Sequence, residues 1–277
     1  MSLRLKDWLS KLLNSFIKNI ISSNSKFHNK FQAKKCFLMG SGRSINYMDL
    51  KKLTDIETIS CNWNFLHNDH KNLNIIADYV LHPMMLFPLW INPIFKNFEV
   101  NKAGSIMKET GKFNSEYPVF LSIYNYPFIK KKNVFFLHHF GQKTANLKYL
   151  NLNHKFSMMQ NSFLTGIGLA IYFGFSEINL IGFDYLSLRP RLYHFYEKDI
   201  DMRAENQQIN ISPVFLNELS KLIKINYIYI FENKSKYFNN ISYKEFFKSE
   251  EKFQSNIELV DQEKLQLINK TKLNFNL

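Results

Sequence analysis

Cys36-Phe37-Leu38-Met39-Gly40-Ser41-Gly42-Arg43-Ser44 is an apolar run of strand type that ends in a glycine-rich turn with one arginine and two hydroxyls. Glycine has no Cβ, so the backbone at such a turn bends tightly and comes close to a neighbour or a ligand. A helix directly after the turn would aim its free N–H groups and its positive dipole end at the same point, which suits a phosphate. Arg43 would add a planar, two-pronged donor for phosphate oxygens. The third glycine of a dinucleotide fingerprint is missing, as is the Gly-Lys-Ser/Thr of a P-loop. The alternative is a tight strand-to-helix connection that binds nothing.

Outward from this turn, strand and helix patterns alternate. Strands are expected at 35–39, 57–62, 74–81, 117–123, 133–138, 177–182 and 226–231, most of them continuous apolar runs of the kind buried on both faces. Helices are expected at 44–53, 84–97, 161–173 and 212–224, with Asn161-Ser162 as cap and Gly174 as stop for the third. This order predicts an α/β fold, a Rossmann-like, mostly parallel sheet with helices on both faces. Ligands in such sheets sit at the C-terminal strand ends near the topological switch. That rule gathers Gly40–Ser44, Asn62–Asn64, His82 and Phe183–Tyr185 on one rim. Residues 185–212 lack a period and suit a lid. The organisation expected is a basic helix and linker over 1–34, a catalytic domain over 35–240 and a peripheral tail over 241–277.

The chain has 277 residues, 45% hydrophobic and 16% aromatic, with no apolar run of membrane-spanning length and no signal peptide. Cys36 and Cys61 both lie in strand-like runs, so reduced thiols in a cytoplasmic protein fit better than a disulfide. The net charge is +13, yet residues 1–35 hold eight Lys/Arg against Asp7, more than half the excess. No Arg-rich groove or nucleic-acid motif accompanies it, so nucleic acid is not an expected partner. Residues 3–21 place Leu5, Trp8, Leu9, Leu12, Leu13, Phe16, Ile17, Ile20 and Ile21 at helical spacing with lysines between. Such a helix packs on its own domain, joins a homo-oligomer, or lies peripherally on the anionic inner face of a bacterial membrane.

Arginine is scarce, five residues in all, and Arg43 falls in the turn while Arg189 and Arg191 fall in the lid. His194 is the candidate general base, because histidine titrates near neutrality. His138-His139 marks either a site or a strand end. Asp199-Ile200-Asp201 has the Asp-x-Asp form that holds Mg²⁺ or Mn²⁺ in many sugar-nucleotide enzymes. No zinc spacing, nucleophile elbow or kinase signature is present.

Three segments resemble the bacterial sialyltransferases of glycosyltransferase family 42. Gly40-Ser41-Gly42-Arg43-Ser44 is similar to the family's Gly-Asn-Gly-Pro-Ser turn, and Ser60-Cys61-Asn62-Trp63-Asn64-Phe65 to its Arg-Cys-Asn-Gln-Phe segment. Thr165-Gly166 through Gly174-Phe175-Ser176-Glu177-Ile178-Asn179-Leu180-Ile181-Gly182-Phe183-Asp184-Tyr185 resembles its Ser-Gly helix and Gly-Tyr-Lys-Glu-Ile-Tyr-Leu-Ser-Gly-Ile-Asp strand. The resemblance spans roughly residues 35–232. It implies a GT-A-like fold with a lid, a CMP-activated nonulosonic acid donor, a glycan or glycolipid acceptor, inverting transfer and no metal. Such enzymes build cell-surface polysaccharide and lipooligosaccharide. By the same resemblance, Asn62 contacts the nucleotide, and Thr165 with Gly166 holds donor phosphate or carboxylate. Ser41 and His82 replace donor-contacting asparagines, and Asp184 closes the strand motif. Tyr185 stands one place before the phosphate-stabilising tyrosine, while His194, with Arg191 beside it, takes the base role. Two other readings are a metal-dependent pyrophosphokinase on a related fold and a non-catalytic protein of the membrane surface.

Overall fold

The computed structural model describes residues 14–80, 115–126, 129, 131–139, 145–189, 194–197 and 211–266. Eight strands among them form one sheet: β1 Lys35–Met39, β2 Thr58–Cys61, β3 Ile75–Val80, β4 Val119–Ser122, β5 Val134–Leu137, β6 Glu177–Ile181, β7 Lys224–Tyr229 and β8 Asn239–Ser242. Their order is β5-β4-β3-β2-β1-β6-β7-β8, and every pairing is parallel. The chain therefore runs outward from β1 through β5, then returns to the far side of β1 with β6. The switch lies between β1 and β6, where α/β sheets of this kind bind ligands. All seven expected strands are present, and the sheet is wholly parallel.

Two-sided burial explains the continuous apolar runs. Along β1, Cys36 and Leu38 join one core, while Phe37 and Met39 join the other. The first core is covered by helix α2, Ser162–Phe173; α1 is the helix described over residues 14–21, and α3 is Pro213–Ser220. Asn161 caps α2, its Oδ1 accepting the Leu164 N–H at 2.8 Å. Gly174 ends it at φ +90°, with Phe175 N–H bonded back to the Ala170 carbonyl.

Two expectations change, and one open alternative narrows. The stretch 44–53 is not one α-helix but two 3-10 turns, Arg43–Tyr47 and Leu50–Leu53. Met48 is extended between them, and Asp49 starts the second turn by accepting the Lys51 N–H, a local bond that competes with a continuous helix. The segment after 240, read as a peripheral tail, follows the edge strand β8 and packs on the sheet. There Tyr243 is buried with its hydroxyl on the Asp49 N–H, and Val260 bridges His67. Finally, α1 turns Ile17 and Ile21 into a core with Val80, Leu121, Ile129 and Phe136, so over 14–21 internal packing is what occurs. Residues 1–13 and the 84–97 helix lie outside the described residues. Among the described residues no helix is long and apolar enough to cross a membrane.

Candidate functional site at the β1–β6 switch

The two turns that end β1 and β6 are clasped together. Gly40 N–H donates to the Ile181 carbonyl and Gly42 N–H to the Gly182 carbonyl, both at 2.8 Å, so the ladder continues past the strands. A Cβ on Gly42 would lie 2.7 Å from the Gly182 oxygen and 2.7 Å from the Asp184 carboxyl carbon. The glycines are required here for the close approach of two backbones. Their amides are engaged by carbonyls, which corrects the expectation that they face a phosphate.

Asp184 completes the clasp. Its Oδ2 accepts the Ser44 N–H at 2.8 Å and its Oδ1 accepts the Ser44 hydroxyl. A carboxylate of the protein therefore occupies the start of the Arg43–Tyr47 turn, where a donor phosphate was expected. Asp184 is buried and ties the β6 end to the β1 end.

Residues 194–197, within the segment expected to form a lid, are strapped onto this clasp by their backbone. Gly42 and His194 form an antiparallel bridge, and Phe195 N–H donates to the Ser41 carbonyl at 3.1 Å. Arg43, only 4% exposed, donates from Nη1 to the Glu197 carbonyl at 3.0 Å. Phe195 is fully buried, its ring 5.6 Å from that of His67. Arg43 thus holds residues 194–197 to the turn. His194 itself stays half exposed and stacks on Tyr196, with ring centroids 4.9 Å apart and 6° between planes. Glu197 Oε2 accepts the His194 N–H at 2.8 Å and lies 3.5 Å from His194 Nδ1.

Asn62 ends β2, the strand next to β1, in the left-handed region at φ +50°, and is half buried. Beside it Asn64 Nδ2 donates to the Met39 carbonyl at 2.7 Å, tying the β2 end to the β1 end. Tyr185 follows Asp184, but its hydroxyl accepts the Phe163 N–H at 3.1 Å and meets the Ser162 hydroxyl at 3.3 Å. It therefore caps the first turn of α2, and burial pushes its phenol well above the ordinary range.

Thr165 and Gly166 do not reach the rim surface. The Thr165 hydroxyl is buried between the Met158 and Asn161 carbonyls, and a Cβ on Gly166 would strike Leu38 and the Tyr79 hydroxyl. Both serve the seating of α2 on the sheet. His138 and His139 end β5, four strand spacings from β1, or about 19 Å at ~4.8 Å each. His139 Nε2 pairs with the Ser122 hydroxyl at 2.7 Å, a strand-end contact remote from the clasp. His82, Arg191, Asp199 and Asp201 lie outside the described residues. Among the described residues no three His, Cys, Asp or Glu side chains gather as a metal cluster.

Phe195 and Glu197 carry the lid's placement, and composition alone did not single them out. Their signal was present: an aromatic run around His194, with a carboxylate three residues on.

No protein-family model matches the chain, and no curated protein matches it. Among solved structures the chain is similar to the sialyltransferase CstII from Campylobacter jejuni, there in complex with cytidine-5'-monophosphate. The match has 18% identity, covers 87% of this chain and 99% of that one, and has a TM-score of 0.41. It is also similar to the monofunctional alpha-2,3-sialyltransferase Cst-I from Campylobacter jejuni, with 18% identity, 87% and 96% coverage and a TM-score of 0.37. At this identity and TM-score the likeness is loose.

Proposed function

We propose that this chain is an inverting glycosyltransferase that moves a nonulosonic acid from a CMP-activated donor to a glycan hydroxyl. The observation that carries the reading is the Gly42–His194 bridge, which sets a half-exposed imidazole on the rim of the β1–β6 switch. A histidine there is placed to take a proton, and proton transfer to a positioned base contributes about 10²–10⁴-fold. The donor class follows from the resemblance of the 40–44, 60–65 and 165–185 segments to family 42.

In this reading Asn62 and Ser41 border the nucleotide, the strand end and turn being neighbours across one strand spacing. His82 and Arg191 are proposed as further donor contacts. The reaction uses no metal, and Asp199 and Asp201 are the residues to test for that. The amphipathic stretch 3–21, of which Ile17 and Ile21 pack internally, would meet an anionic membrane on the cytoplasmic side through its first residues.

A thermal-shift panel tests the donor. CMP and CMP-sugars at a hundredfold excess over Kd should add about 2.7 kcal/mol of stability, with or without chelator. A shift from ATP with Mg²⁺ alone, abolished by chelator, would replace this reading with phosphoryl transfer.

A further inference from the structure

We propose that Glu197 is the positioning residue of His194, holding Nδ1 toward its carboxylate so that Nε2 is presented to the acceptor. The inference rests on His194 being the base and deepens that reading. One oxygen, Glu197 Oε2, touches the residue twice: it accepts the His194 backbone N–H at 2.8 Å and stands 3.5 Å from ring Nδ1. The two nitrogens of an imidazole lie on different edges, so a carboxylate at Nδ1 selects the tautomer with its proton there and leaves the Nε2 lone pair for catalysis. Tyr196 stacks on the ring with the planes 6° apart, which restrains its rotation.

Glu197 is itself fixed before any substrate arrives. Its carbonyl accepts from Arg43 at 3.0 Å, its N–H donates to the His194 carbonyl at 3.1 Å, and its side chain is 25% exposed against 48% for His194. A 3.5 Å separation is longer than a hydrogen bond, as catalytic pairs often are before substrate binds. In the transfer, Nε2 takes the proton of the acceptor hydroxyl as its oxygen bonds to the anomeric carbon. The bond from that carbon to the donor phosphate breaks, and its electron pair leaves with CMP. The imidazolium so formed carries its charge beside the Glu197 carboxylate, which stabilises it without taking the proton.

The test uses the full chain labelled with ¹⁵N-histidine, the His194 ring signals being assigned by their loss in His194→Ala. Wild type should show the Nδ1–H tautomer, and Glu197→Gln, which keeps the shape and an oxygen for the backbone N–H, should lose it. In the same variant kcat should fall about 10- to 100-fold, within the range general-base help supplies, with KM for the CMP-sugar unchanged within about twofold. Glu197→Asp should recover part of kcat. An unchanged tautomer in Glu197→Gln overturns the proposal whatever turnover does. A wild type that transfers from no CMP-sugar would instead overturn the functional reading, while the tautomer still decides the pair.

Discussion

His194 reaches the rim through its backbone, bridged to Gly42, so removing its ring should leave the site standing. His194→Ala should retain CMP binding by calorimetry and lose about 10²–10⁴-fold in transfer. Arg43 is the reverse case, a buried guanidinium whose bond to the Glu197 carbonyl docks the lid. Arg43→Met should lower the urea midpoint by the equivalent of about 1–3 kcal/mol and open residues near 194–197 to limited proteolysis. His67, buried beneath Phe195, has its pKa lowered to about 4 by burial, against a smaller opposing pull from Asp69. The folded protein then resists a proton that the unfolded chain accepts near pH 6.5. Stability from this residue is full above pH 6.5 and is lost between there and about 4, roughly 3 kcal/mol in all. His138 and His139, also lowered by burial, act in the same direction. Denaturant melts of His67→Asn across pH 4–7 should show a shallower slope than wild type; equal slopes would contradict this account.

At the scale of elements, the site is two strand-end turns held too close for any side chain between them. Gly42→Ala would push a Cβ into Asp184 and the Gly182 carbonyl, and should cost about 1–3 kcal/mol in a thermal or urea melt. The strands and α2 were legible because buried parallel strands read as unbroken apolar runs and α2 carries both its caps, Asn161 and Gly174. β8 was not: Asn239-Asn240-Ile241-Ser242 is a polar edge strand with one apolar side chain and no period. The Gly-rich turn itself was legible, but its use was not. Sequence cannot distinguish amides turned to a ligand from amides turned to a neighbouring carbonyl. The partners of Thr165 and Asp184, Met158 and Ser44, were not legible for the same reason, since they come together only through the fold.

The whole molecule is organised by where the chain reverses. Because β6 returns beside β1, the glycine turn, the Asp184 turn and the lid converge at one place, with Asn62 one strand away. At the opposite edge, Asn24 Nδ2 bonds the Phe136 and Leu152 carbonyls at 2.9 Å each, covering β5, while α1 buries Ile21 beside it. Ile21→Ala should therefore cost about 2–5 kcal/mol in a urea melt, whereas a helix detached from the core would show almost no change. The central claim, that this rim performs glycosyl transfer with His194 as base, is tested by one assay. Wild type and His194→Ala are each incubated with CMP-sialic acid and a glycan acceptor in the presence of chelator, and product is read by mass spectrometry. The account predicts a sialylated glycan and free CMP from wild type and neither from a variant that still binds CMP; equal turnover by the two proteins would contradict it.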